Sequence, residues 1–238
     1  MRVQSALQGS NLVIRLENAG DEDARNVAAV VDFMGQRSEF PPLEALPPNS
    51  PRGALFPVVL EKLNGTYPAV ITVGFEDLNG YPFSSVTVVP VRGAVGAFTD
   101  VVAAVKAVKI RGKGKVHVKF RSSSTSPVDG RYRLITAREI ICDENEGQVS
   151  IPARGKAELS IPVENFSALP GATYPVHIIL EYDREGTHQT VVAAGMATIY
   201  TASVWKSGLF WIVLMIVVLI VAGSFVFTRK QEGKESSR

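Results

Sequence analysis

Three histidines, one acidic cluster, one run of alternating cations and one glycine-rich turn are the residues whose chemistry needs testing first. His117, His177 and His188 lie in no H-x-x-x-H, H-E-x-x-H or Cys/His arrangement, the spacings that converge imidazoles on a metal. His117 and His177 alternate with apolar neighbours, so both are expected on the outward, solvent-facing sides of their strands. Asp143, Glu144 and Glu146 form an acidic stretch, but hard cations need six to eight converging oxygens and this spacing does not match a calcium loop. A solvated loop is the expectation. No G-x-S-x-G elbow occurs, and Gly112 and Gly114 in RGKGK lack the strand–loop–helix context of a phosphate cradle. These residues therefore point to no enzyme, no metal and no cofactor.

The cations are more suggestive. Lys109, Arg111, Lys113, Lys115, His117, Lys119 and Arg121 occupy alternate positions, interrupted by the glycine turn. Arg111, Lys113, Lys115, Lys119 and Arg121 are candidate contacts to an anionic surface, where each cation contributes on the order of 1 kcal/mol. A solvated strand face, or an edge protected by lysine, is the preferred reading of the same pattern. Formal net charge is +2, with no nucleic-acid recognition motif. The single cysteine, Cys142, excludes an internal disulfide.

The elements that carry these residues read as strands. Apolar residues make up 46% of the 238, enough for a packed core. Gly65–Asp77 (GTYPAVITVGFED) matches Gly171–Glu185 (GATYPVHIILEYDRE), with Tyr67 and Tyr174 aligned at 174 − 67 = 107 residues. Tyr67, Ala69, Ile71, Val73 and Phe75 then align with Tyr174, Val176, Ile178, Leu180 and Tyr182 as alternate, inward-facing positions. Leu12, Ile14 and Leu16 likewise match Val116, Val118 and Phe120, and Arg52–Val58 corresponds loosely to Gly155–Val163. The chain is thus expected to be all-β: two tandem immunoglobulin-like β-sandwiches, residues 1–95 and 96–203. The second copy offers Val101–Ile110 as a leading strand, whereas the first offers only Val3–Gln8. This predicts a clipped first strand and an upstream start encoding a signal peptide.

Asn18-Ala19-Gly20 follows the first clear strand, then a polar turn, then Ala24 and Val27 with alternating Ala29, Val31 and Phe33. This N-x-G, A-x-x-V pattern resembles the CARDB-type and NPCBM-associated immunoglobulin-like modules of bacterial and archaeal surface proteins. The resemblance implies an extracytoplasmic binding or spacer role. The second module departs from it, with Ser122-Ser123-Ser124-Thr125-Ser126 in place of N-x-G.

No charged residue stands between Lys206 and Arg229. Residues 208–228, GLFWIVLMIVVLIVAGSFVFT, would span roughly 31 Å as a helix, matching a bilayer's hydrocarbon core. Trp205 and Trp211 suit an interfacial belt, and Arg229 and Lys230 open a basic tail, 229–238, which the positive-inside bias places in the cytoplasm. The expectation is a single-pass cell-membrane protein of the envelope with its sandwiches outside, binding protein or glycan. The alternative is an accessory subunit of a transport or envelope-assembly complex. Asn64-Gly65-Thr66 and Asn165-Phe166-Ser167 are possible glycosylation sites.

Overall fold

The computed structural model describes residues 1–8, 11–57, 63–93, 99–200 and 211–220. It divides into two compact units, Met1–Tyr200 and Thr201–Arg238.

The first unit is all-β. Its first half runs β1 (Arg2–Gln8), β2 (Asn11–Glu17), β3 (Ala24–Phe33), β4 (Gln36–Glu39), β5 (Leu43–Leu46), β6 (Arg52–Pro57), β7 (Thr66–Glu76) and β8 (Pro82–Arg92). One sheet has the order β1-β2-β6 and the other β4-β3-β7-β8, with β5 also on β3. The sheets close on a core that includes Leu12, Ile14, Leu16, Val27, Ala29, Val31, Ala69, Ile71 and Val73. Every alternating set read from the sequence thus faces inward.

The second half repeats the plan. It runs β9 (Val101–Val105), β10 (Val108–Ile110), β11 (Lys113–Ser122), β12 (Val128–Thr136), β13 (Ile140–Ile141), β14 (Glu146–Ile151), β15 (Lys156–Asn165), β16 (Thr173–Arg184) and β17 (Thr187–Ile199). The sheets are β13-β15-β11-β9 and β10-β17-β16-β12-β14. Val116, Val118, Phe120, Tyr174, Val176, Ile178, Leu180 and Tyr182 meet in its core. β1, β2 and β6 share one sheet as β9, β11 and β15 do, and β3, β7 and β8 share the other as β12, β16 and β17 do, so each half is a two-sheet β-sandwich.

Two expectations change in detail. Val101–Ile110 is not one strand: β9 pairs antiparallel with β11, and after Lys106 and Ala107 the chain crosses to the other sheet, where β10 runs parallel to β17. In the first half, by contrast, β1 pairs with every residue of β2, from Arg2↔Glu17 to Gln8↔Asn11. The second change concerns the turn at Gly112, whose φ is +74°. It falls before Lys113, so β11 carries Lys113, Lys115, His117, Lys119 and Arg121 unbroken on one exposed face.

The two halves lie side by side and head to tail. The outer face of the β7–β8 sheet meets the outer face of the β16–β17 sheet, burying Val70, Val86, Val88 and Ile179, with Ile135 and Val192 packed alongside. Asn64 and Gly65, at the start of β7, lie on the turn between β16 and β17, and the turn between β7 and β8 reaches the loop before β16, where Tyr81 Oη donates to the Ser167 carbonyl at 2.7 Å.

In the second unit, residues 211–220 are helical. Side chains from Trp211 to Ile220 are 42–66% exposed. Among the described residues no helix is long and apolar enough to cross a membrane. The remainder of the predicted span, 208–210 and 221–228, and Trp205, Arg229 and Lys230, lie outside the described residues.

Candidate functional site

The polar side chains that the fold brings together are concentrated at the junction of the two halves. Ser84 on β8 donates through its backbone N–H and its hydroxyl to the two carboxylate oxygens of Glu139, the hydroxyl contact being 2.6 Å. The Ser84 hydroxyl in turn accepts the Arg138 N–H at 2.8 Å. Glu139 is buried, yet both of its oxygens are satisfied, which is the condition for carrying a carboxylate there. Its backbone carbonyl accepts from Phe166 and Ser167, so one residue fixes both β8 and the loop before β16.

His177 corrects the sequence reading most sharply. It does lie on the face of β16 opposite the apolar set, but that face is covered by β8, and the residue is buried. Its Nε2 donates to the Val86 carbonyl at 3.1 Å, and Nδ1 has no partner among the described residues. Burial lowers its pKa below the ordinary value, with the Val86 carbonyl working in the opposite direction.

His188 sits at the other end of the same seam. Its ring stacks on Tyr67 with centroids 4.4 Å apart and planes 16° from parallel. Nε2 lies 3.3 Å from Glu181 and Nδ1 2.9 Å from Asp183. The Glu181 hydrogen bond, aided by Asp183, raises its pKa against the opposing pull of burial. A protonated imidazole on the face of Tyr67 adds a cation–π attraction. The His188 N–H donates to the Asn64 carbonyl at 3.0 Å, and the Asn64 amide donates to Gly186 at 2.7 Å. Gly65 is required here: its φ is +119°, and a Cβ would fall 1.9 Å from the His188 carbonyl oxygen. Thr190 closes the seam by donating to the Thr66 carbonyl at 2.7 Å. The arrangement locks two sandwiches together.

Sequence alternation missed this seam because it assumes one wet face per strand. The signal present was single apolar residues on the outer faces of β7, β8 and β16, namely Val70, Val86, Val88 and Ile179, interleaved with Thr72, Ser84 and His177.

The basic row is exposed, as expected, and partly neutralised. Lys113 pairs with Glu164 at 3.4 Å and Lys119 with Glu158 at 2.8 Å. The Lys119 hydrogen bond holds Glu158 below the usual carboxylate range. His117 Nδ1 lies 2.9 Å from Ser160 Oγ. Lys115 and Arg121 make no ion pair among the described residues, and Arg121 lies opposite Lys156, so the row keeps a positive balance. Arg111 sits apart from it, at the turn. In the acidic stretch, Asp143, Glu144 and Glu146 are exposed, and Glu146 pairs with Arg131 at 2.8 Å. Among the described residues no acidic, histidine or cysteine group is placed to hold a metal. Cys142 is half-buried, and burial raises its pKa.

The N-x-G turn has a structural use. Asn18 is buried; its amide donates to the Glu22 carbonyl at 2.6 Å and the Leu46 carbonyl at 2.9 Å, and its Oδ1 accepts the Gly20 N–H at 3.0 Å.

Fold and site together define an all-β protein of sandwich-like domains. No protein-family profile matches the chain, and no curated protein sequence does. Solved structures with a similar course include red sea bream transglutaminase (11% identity, TM-score 0.33, 84% of this chain and 32% of that one). A Salmonella alpha-2-macroglobulin variant follows (10%, 0.37, 84% and 16%), with a Porphyromonas gingivalis protein of unknown function (13%, 0.31, 82% and 96%). The chain spans a third or less of the first two, and at these TM-scores the likenesses carry no functional argument.

Proposed function

We propose that this chain is a single-pass, membrane-anchored, extracytoplasmic binding or scaffold protein of the cell envelope, working through protein or glycan contacts rather than catalysis. The observation that carries the reading is the uncharged run between Lys206 and Arg229, whose 21 residues from 208 to 228 suit a bilayer crossing. Supporting it, the helical residues 211–220 expose large apolar side chains that water would penalise and lipid would not. The basic tail favours a cytoplasmic C-terminus. The CARDB-like turn around Asn18 accords with a surface location, and the locked seam suits a rigid body that presents its faces at fixed angles.

The test is topology in intact cells. Ser126 is exposed at the end of the second sandwich away from Tyr200, so Ser126→Cys in a Cys142→Ser background reports on the folded part. Labelling by a membrane-impermeant maleimide from outside, with the protein retained in carbonate-washed membranes, is the expected result. Release by carbonate, or labelling only after lysis, overturns the proposal. Stoichiometric recovery of polytopic subunits in mild detergent would replace the free-standing scaffold by the accessory-subunit role.

A further inference from the structure

Among the described residues of the first unit, large apolar side chains are exposed at several places, Met34, Leu55 and Val102 among them. Leu78, Phe166, Leu169 and Tyr200 are 46%, 72%, 37% and 46% exposed, and a chain of hydrogen bonds places them at one end. Leu78 is in the turn between β7 and β8, which Tyr81 ties to Ser167. Leu169 donates its N–H to Tyr174 Oη at 3.1 Å. The Gly171 N–H reaches the Ile199 carbonyl at 2.8 Å, and the Tyr200 N–H reaches the Ile110 carbonyl at 3.1 Å. The Asn165 N–H reaches the Gly112 carbonyl at 2.6 Å, bringing the β10–β11 turn to the same end. That turn exposes Lys109, Arg111 and Lys113.

We propose that this end is a lipid-seating surface: Phe166, Leu78, Leu169 and Tyr200 enter the headgroup region of a bilayer while Lys109, Arg111 and Lys113 meet anionic headgroups. The inference rests on the anchoring proposed above and adds a second membrane contact made by the folded part. Two features of the chain select lipid as the occupant. Tyr200, where the chain leaves the sandwich, is itself one of the exposed group, and the 208 − 200 = 8 peptide steps to the apolar run reach at most about 28 Å. The composition, aromatic and aliphatic tips beside a turn of three cations, is that of an interfacial contact. Of the carboxylates nearby, Asp143 and Glu144 are exposed in the loop after Ile141, which pairs with Glu164. Glu164 neutralises only Lys113, and Asp77 is turned onto the N–H groups of Asn79 and Tyr81.

The test uses the full chain, Cys142→Ser or Cys142→Ala, reconstituted in phosphatidylcholine vesicles with and without phosphatidylserine. Single cysteines at Phe166, Leu78 and, as the control at the opposite end of the second sandwich, Val102 carry an environment-sensitive fluorophore. Labels at 166 and 78 are expected to shift to the blue, to be quenched by spin-labelled lipid and to resist aqueous iodide, while the label at 102 does the reverse. Phosphatidylserine should strengthen the effect, and Lys109→Gln with Arg111→Gln should weaken it by roughly five-fold per cation removed. A label at 166 as open to iodide as that at 102, in protein that stays in carbonate-washed vesicles, overturns this inference and leaves the anchor standing. Protein released by carbonate overturns the anchor. Protection from iodide without quenching by lipid also overturns the inference, and assigns this end to a protein contact.

Discussion

The first sandwich turns the corner after its second strand on Asn18, and the second turns the matching corner on Ser124. At the first, the Asn18 carbonyl accepts the N–H of Asn49 at 3.0 Å; at the second, the Ser124 carbonyl accepts the N–H of Arg154 at 2.8 Å. Asn49 and Arg154 are both left-handed, with φ of +56° and +49°. Asn18 clasps its corner with three side-chain hydrogen bonds. The second corner divides the work: the Ser122 hydroxyl accepts the Ser124 N–H and the Ser124 hydroxyl accepts the Ser126 N–H, each at 3.1 Å. The backbone need is the same, and two residue chemistries meet it. The N-x-G motif is therefore one solution to a corner, which is why its loss from the second half left the fold unchanged.

A second contrast lies just before the aligned Tyr67 and Tyr174. Gly65 stands where the second copy has Ala172, because only Gly65 lies against another backbone, that of His188. Gly65→Val should have the largest effect, about 3 kcal/mol or more, through the steric conflict and the positive φ. In urea unfolding followed by tyrosine fluorescence, the single transition should shift sharply and separate into two as the halves undock. Ala172→Gly should cost no more than about 1 kcal/mol. Equal losses at the two positions would break the comparison.

Asn18→Ala should cost about 2 kcal/mol, since two backbone carbonyls lose their donor inside the protein. Ser124→Ala, which removes one acceptor, should cost about 1 kcal/mol by thermal denaturation. A reversed order would sink the account of the two corners.

The two seam histidines should give opposite pH responses. His188 has a raised folded pKa, so its contribution is complete below its unfolded value of about 6.5 and is lost as pH rises through the folded value. His177 has a lowered one, so its contribution is present above about 6.5 and is lost as pH falls through the folded value. Stability against urea should therefore be greatest near pH 6.5. His188→Gln should flatten the alkaline limb and His177→Gln the acid limb. The smallest effect is a gain: Arg154→Asn, giving the second corner the residue type of the first, should add about 0.5 kcal/mol, because asparagine tolerates the left-handed region better.

The inner faces were legible because Tyr67 through Phe75 and Tyr174 through Tyr182 alternate cleanly, and each set reached a core. The strand that changes sheets was not, since Lys106 and Ala107 give no turn signal. Nor was the seam. Val70, Val86 and Ile179 sit among polar neighbours such as Thr72, Ser84 and His177, and one strand's pattern does not say which second sheet will cover it. The basic row was visible as composition, but its partial neutralisation by Glu158 and Glu164 depends on the register of β15, which pairs across 39 to 51 residues (158 − 119 and 164 − 113).

The head-to-tail seam also fixes a height. Two sandwiches strung end to end would make a stalk, with the first far beyond the second. Folded back on itself, the pair is no taller than one, and thirteen-residue β17 sets the scale at about 43 Å. Each end of this folded unit therefore presents loops of both sandwiches, so one partner could touch the two at once.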